Sequence, residues 1–186
     1  MIPKIEKILY ATDLSKNSAY AFRYAVNSAE HHGADIHILH VLEIRLSPVI
    51  PLPGEEGTGF VSEGPRYLEK LEKFNAEQKK LAKEEIQKRL KEFCQKELDD
   101  RPDCLKRVAS IQVVEGDPAG TILQKAEELK VDTVIMGTHS KGFLAHAFLG
   151  SVAEKVLQRI KIPVFIIPIP EEKDFVVHKR EKPQEI

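Results

Sequence analysis

The residues best placed to do chemistry are Met136, Gly137, Thr138, His139, Ser140 and Gly142, followed by Gly150, Ser151 and Val152. They come directly after an apolar β-branched run, Val131 to Ile135, and lead into an amphipathic run, Val152 to Ile160. The order is strand, glycine-bearing loop, helix. Such a loop suits an anion, and phosphate above all. Glycine takes positive φ and lets the backbone come close to a ligand. Backbone N–H groups then point at the phosphates, and the start of the next helix adds favourable dipole charge. The hydroxyls of Thr138, Ser140 and Ser151 can donate as well.

Other chemistries fit less well. No Gly-Lys-Ser/Thr closes the loop, and the dinucleotide pattern G-x-G-x-x-G is absent. Asp13, His139 and Ser151 do not form a hydrolase signature, because Ser151 lacks a Gly-x-Ser-x-Gly elbow. His139 is open to two readings, a phosphate contact or a residue facing solvent. His31, His32, His37, His146 and His178 show no metal-ligand spacing. Any metal would be Mg²⁺ or Mn²⁺ carried by phosphates. No lysine, arginine finger or water-positioning residue stands at a fixed place, so turnover would be slow at most.

The elements that must position these residues follow from periodicity. Lys7 to Ala11 is a short apolar run that reads as a buried first strand, ending at Thr12-Asp13. Asp13 to Ser18 is rich in capping residues. Ala19, Phe22, Val26 and Ala29 give the next helix one apolar face, and Gly33 is its left-handed stop. Asp35 to Leu42 reads as strand two. A strand, helix and strand with a long crossover imply parallel pairing.

Leu46 to Gly64 carries Pro48, Pro51, Pro53 and four glycines, and so reads as an unusually long loop. It leaves from the carboxyl end of strand two, which makes it either a flank of the site or a mobile insertion. A long helix then runs from Pro65 to about Leu98, with a break or an exposed turn plausible in the polar stretch Asn75 to Lys80. Leu68, Leu71 and Phe74 form one apolar set on it. Leu81, Ile86, Leu90, Phe93, Cys94 and Leu98 form another. Cys104, close after the turn at Asp99 to Asp103, could be exposed. Val108 to Glu115 reads as strand three, and Asp117-Pro118 as an N-cap and first helical residue. Ile122, Leu123, Ala126 and Leu129 face the core from that helix. Val131 to Met136 is strand four. The last helix turns Val152, Val156, Leu157 and Ile160 inward, and Val164 to Ile167 is strand five.

Composition narrows the class. The chain has 186 residues, with 28 basic against 29 acidic, for a formal charge of −1. It is long enough for one domain with a real core. The balanced charge argues against nucleic acid as a partner. Two cysteines give no disulfide framework and fit a reduced, cytoplasmic compartment. No apolar run approaches the roughly 20 residues that span a bilayer, and the first residues lack a signal-peptide layout. The expected organisation is a single domain over 1–170, with the inserted loop and long helix at 46–98, and a charged tail at 171–186.

The spacing Gly137, two residues, Ser140, nine residues, Gly150-Ser151 resembles the G-x2-G-x9-G-(S/T) pattern of ATP-binding universal stress proteins. Ser140 stands where that pattern has its second glycine. The stretches Ile8 to Asp13 and Asp35 to Glu43 resemble the same family, although Ala11 replaces a frequent proline. The resemblance implies an α/β fold: an open, doubly wound, five-stranded parallel sheet of order 3-2-1-4-5 with helices on both faces. It implies a site for ATP, ADP or AMP built from Ala11, Thr12, Asp13, Val41, Met136, Gly137, Thr138, His139, Ser140, Gly142, Gly150, Ser151 and Val152. Asp13 would meet the ribose or adenine side, and Val41 would line the adenine. It implies a regulatory, nucleotide-sensing homodimer in stress response, paired through strand 162–168 and acting on a downstream protein that the sequence does not identify. A nucleotide-free interaction module, favoured by Ser140, and a slow ATPase or phosphotransferase are the alternatives. Gly150→Val should abolish binding with little loss of fold if the backbone angles permit, and Ser140→Gly should keep or raise affinity if serine merely tolerates the loop geometry.

Overall fold

A computed structural model of the chain describes residues 3–15, 18–43, 64–138 and 149–168, without the side chains of residues 64–72 and 74. In chain order the elements are β1 (Lys7–Thr12), α1 (Ser18–His32), β2 (Asp35–Leu42), α2 (Gly64–Glu97), β3 (Val108–Glu115), α3 (Pro118–Leu129), β4 (Thr133–Gly137), α4 (Ser151–Leu157) and β5 (Val164–Ile167). A 3₁₀ turn, Pro102–Arg107, precedes β3. All strand pairs are parallel, in the order β3-β2-β1-β4-β5. The loop at 46–63, the tail from 171 and the site residues His139, Ser140 and Gly142 lie outside the described residues.

Alternation along the central strands feeds two separate cores. Ile8 and Tyr10 of β1, Ile36 and Ile38 of β2 and Ile135 of β4 pack against α1 and α2. Leu9 and Ala11, Leu39, and Val134 and Met136 point the other way, against α3 and α4. Because successive strand side chains face opposite sides, the nearly continuous apolar run of β1 supplies both cores. Asp132 fixes the entry of the central pair, its Oδ2 accepting the Glu6 and Lys7 N–H groups at 2.7 and 2.8 Å. Gly33 ends α1 at φ 68°, and the Ala34 N–H closes back on the Ala29 carbonyl at 2.9 Å, as a left-handed stop should.

The long helix is continuous through Asn75 to Lys80, which is an exposed stretch and not a break. Leu81 is 53% exposed rather than part of an apolar set with Leu90. The reason is helical geometry: Leu81 lies nine residues before Leu90, about two and a half turns, and so on the opposite face. Gln87 donates to the Ile111 carbonyl, while Lys79 and Lys83 reach Glu115, the last residue of β3. These residues share the sheet-facing side with Leu90, Cys94 and Leu98, which are fully in the core. Finally, Cys104 is not exposed. It sits 3% accessible, donating from Sγ to Glu30 Oε1 at 2.8 Å, and burial first, then Glu30, pushes its thiol up to about 11. Such a thiol stays protonated and unreactive. In α4 the inward residues are Ala153 and Val156, and Leu157, one residue further round, is exposed.

Candidate functional site

Strand order reverses between β1 and β4, which run side by side from Ile8–Thr133 to Ala11–Met136. In an open parallel sheet, helices leaving neighbouring strands toward opposite faces open a crevice at the carboxyl ends. A cavity of about 360 Å³ lies there. It is lined by Ala11, Thr12 and Asp13 from the end of β1, Val41 from β2, Met136, Gly137 and Thr138 from β4, and Gly150, Ser151 and Val152 at the start of α4. Every site residue named from the sequence and lying among those described thus comes to one cavity.

Other residues line it that sequence reasoning missed. Leu39 stands two residues before Val41, on the same strand face. Pro118 and Ile122 come from α3, Ala153 from α4, and Tyr10, Ser15, Ser18 and Ala21 from the α1 side. Period-two spacing points to Leu39. The α1 residues carried no signal, since only the path of the β1–α1 turn brings them round. Asp117, by contrast, is a cap: its Oδ2 accepts the Gly120 N–H at 2.7 Å, with Pro118 in the first turn.

The β1–α1 turn is stitched by its own side chains. Thr12 Oγ1 accepts the Leu14 N–H at 3.1 Å, and Asp13 Oδ1 accepts the Ser15 N–H at 3.0 Å. Tyr10 donates its hydroxyl to the Ser18 carbonyl at 2.8 Å, tying the start of α1 to the strand. Burial raises the Tyr10 phenol well above its ordinary value, so it remains a donor at any physiological pH. Ser15 Oγ is buried with no hydrogen-bond partner among the described residues.

The opposite wall is built differently. The Thr138 N–H is spent on the Ile167 carbonyl at 2.9 Å. Gly150 precedes α4 at φ 92°, ψ 135°, with no side-chain cap. That conformation belongs to glycine. Valine at 150 would spare the fold only if the backbone angles permitted it, and these do not. The first amides of α4 have no acceptor within the helix, so this wall offers N–H groups, the Ser151 hydroxyl and room for close approach. Among the described residues no group of three or more His, Cys, Asp or Glu can hold a metal, and no helix is long and apolar enough to cross a membrane.

A doubly wound sheet with its cavity at the strand reversal defines a class of ligand-binding α/β domains. The universal stress protein family model matches residues 4–168, and the chain belongs to that family. Universal stress protein MJ0531 of Methanocaldococcus jannaschii is 30% identical over 175 residues, covering 90% of this chain and 85% of the relative. MJ0577 of the same organism is 30% identical over 166 residues, covering 87% and 94%. The solved structure of MJ0577 superposes with a TM-score of 0.64 at 26% identity, covering 91% of this chain and 99% of the other. A universal stress protein solved in complex with cAMP shares the fold, with a TM-score of 0.52 at 19% identity, covering 90% of this chain and all (100%) of the other.

Proposed function

We propose that this chain binds an adenine nucleotide, ATP or its di- or monophosphate, in the cavity between the ends of β1 and β4, and that binding regulates a stress-response partner. The observation that carries this reading is the convergence of an apolar slot, an acidic turn and a glycine-led helix start on one cavity of about 360 Å³, a size within the usual range for small ligands. Val41, Leu39 and Ile122 suit the flat face of a base. Asp13 suits a ribose hydroxyl. Gly137, Gly150 and Ser151 suit phosphates, and Mg²⁺ or Mn²⁺ would ride on those phosphates. Another universal stress protein of this fold is described as a cAMP complex, which supports an adenine ligand at the level of the fold.

The test is calorimetric titration with ATP and Mg²⁺ on protein stripped of carried-over ligand, with mass spectrometry of what was removed. Micromolar binding or co-purified nucleotide supports the reading. No binding and no nucleotide overturns it, makes Ser140 the first suspect and favours the interaction module. Restoration of binding by Ser140→Gly would then identify that position as the cause.

The reading includes a homodimer formed along β5. This strand is a sheet edge, and Phe165 on it is 47% exposed. An apolar edge invites pairing with another strand, and Pro163 and Pro168 limit that pairing to the four residues between them. Phe165→Asp should convert the dimer to monomer in sedimentation velocity without unfolding it. A monomeric wild type would remove this part of the proposal.

A further inference from the structure

The bonds within the β1–α1 turn fix its shape, but they do not fix its place on the sheet. On the β4 side the pairing of β1 ends at Ala11, opposite Met136. On the β2 side one more pair follows, Thr12 beside His40. There the half-buried His40 ring meets the Thr12 carbonyl, Nδ1 to O, at 2.9 Å. A carbonyl only accepts, so Nδ1 carries the hydrogen. His40 is not among the residues lining the cavity, so any influence on a ligand passes through Thr12. The turn it holds is also strained. Leu14 sits at φ 58°, a left-handed conformation that a non-glycine residue keeps only where neighbouring structure imposes it.

We propose that His40 is a positioning residue of the nucleotide site: its Nδ1–H tethers the Thr12 carbonyl to β2 and so holds the Thr12–Ser15 turn, with Asp13, at the cavity rim. The proposal rests on the nucleotide reading above. It explains why a polar ring occupies this strand position, where the preceding residues Ile38 and Leu39 are buried and apolar.

Two variants of similar polarity separate the tether from mere filling of space. In His40→Asn the amide nitrogen takes the place of Nδ1 along the side chain. In His40→Gln the donor moves one methylene away. His40→Asn should keep ATP affinity within about twofold, and His40→Gln should lose about tenfold, the scale of one well-made hydrogen bond. Equal affinities for the two variants would overturn the proposal. Hydrogen exchange of the Leu14 and Ser15 amides, measured without ligand, gives a second readout. Protection should fall in His40→Gln and survive in His40→Asn. If wild type binds no nucleotide, the site reading fails on its own, and the exchange data still decide whether the tether exists. Unchanged protection in His40→Gln would show that it does not hold the turn.

Discussion

The two faces of the sheet are built from different sizes of side chain. Against α1 and α2 the core is aromatic at its centre. Tyr10, Phe22 and Phe93 form a chain of rings with centroids 5.4 and 5.2 Å apart. Against α3 and α4 the buried residues include Ala11, Ala119, Ala126 and Ala153, with Leu9, Leu39 and Val156 between them. Much of the apolar lining of the cavity, including Ala11, Leu39, Val41, Met136 and Ala153, comes from this second face. Small side chains let the helices approach deep in the sheet, yet leave a slot at its carboxyl end. The first face is packed around aromatic rings, and the second around smaller side chains that border the cavity.

The sharpest way to break this comparison is to put the stability loss on one face and the binding loss on the other. Phe22→Ala empties the centre of the first face, where Phe22 is fully buried, and should cost about 3–5 kcal/mol in urea unfolding. The protein that remains folded should bind nucleotide as wild type does. Val41→Trp should do the reverse. Val41 is half-buried and lines the cavity, so a larger ring fills the slot at a stability change of about 1 kcal/mol or less. ATP affinity should fall more than about thirtyfold, or about 2 kcal/mol. Retained affinity in Val41→Trp would mean that the base lies elsewhere.

A smaller effect tests the helix that closes the second face. Asp117 caps α3 through the Gly120 N–H, and Asp117→Ala should cost about 1 kcal/mol. Affinity should be unchanged, because the aspartate does not line the cavity. A loss of binding beyond the loss of stability would give Asp117 a direct role at the ligand.

What was legible in the sequence divides along the same line. The strands were readable because their apolar runs are short, β-branched and bounded by polar turns, and β2, β3 and β5 fall at their expected limits. Gly33 and Asp117 were readable because a left-handed stop and a cap each demand particular residue types. The named residues on β1, β2, β4 and α4 were legible through motif spacing and family resemblance, although Tyr10, Leu39 and Ala153 on the same elements were missed. Ser15 and Ser18 were not legible, because they reach the cavity through the three-dimensional course of a turn. The exposure of Leu81 was legible but misread: at about 3.6 residues per turn it stands half a turn away from Leu90, on the outer face of α2.

The contact between α2 and the end of β3 sets the smallest prediction. Where α2 passes the end of β3, packing gives way to charge. Glu115 accepts from Lys83 at 3.2 Å and pairs with Lys79 at 3.4 Å. The hydrogen bond from Lys83 lowers the carboxyl's pKa, its charge and Lys79 add to that, and slight desolvation opposes them. A carboxylate whose pKa is depressed on folding contributes stability above its unfolded value, and that contribution is lost as pH falls through the folded one. All three side chains are about a third exposed, so the contribution is small and screened by salt. Glu115→Gln should therefore unfold slightly more easily than wild type near neutral pH and low salt. The difference should shrink as pH falls through the depressed folded-state value, where both side chains become neutral. A gap that persists in acid would mean that the end of α2 is held by packing on β3 and not by these charges.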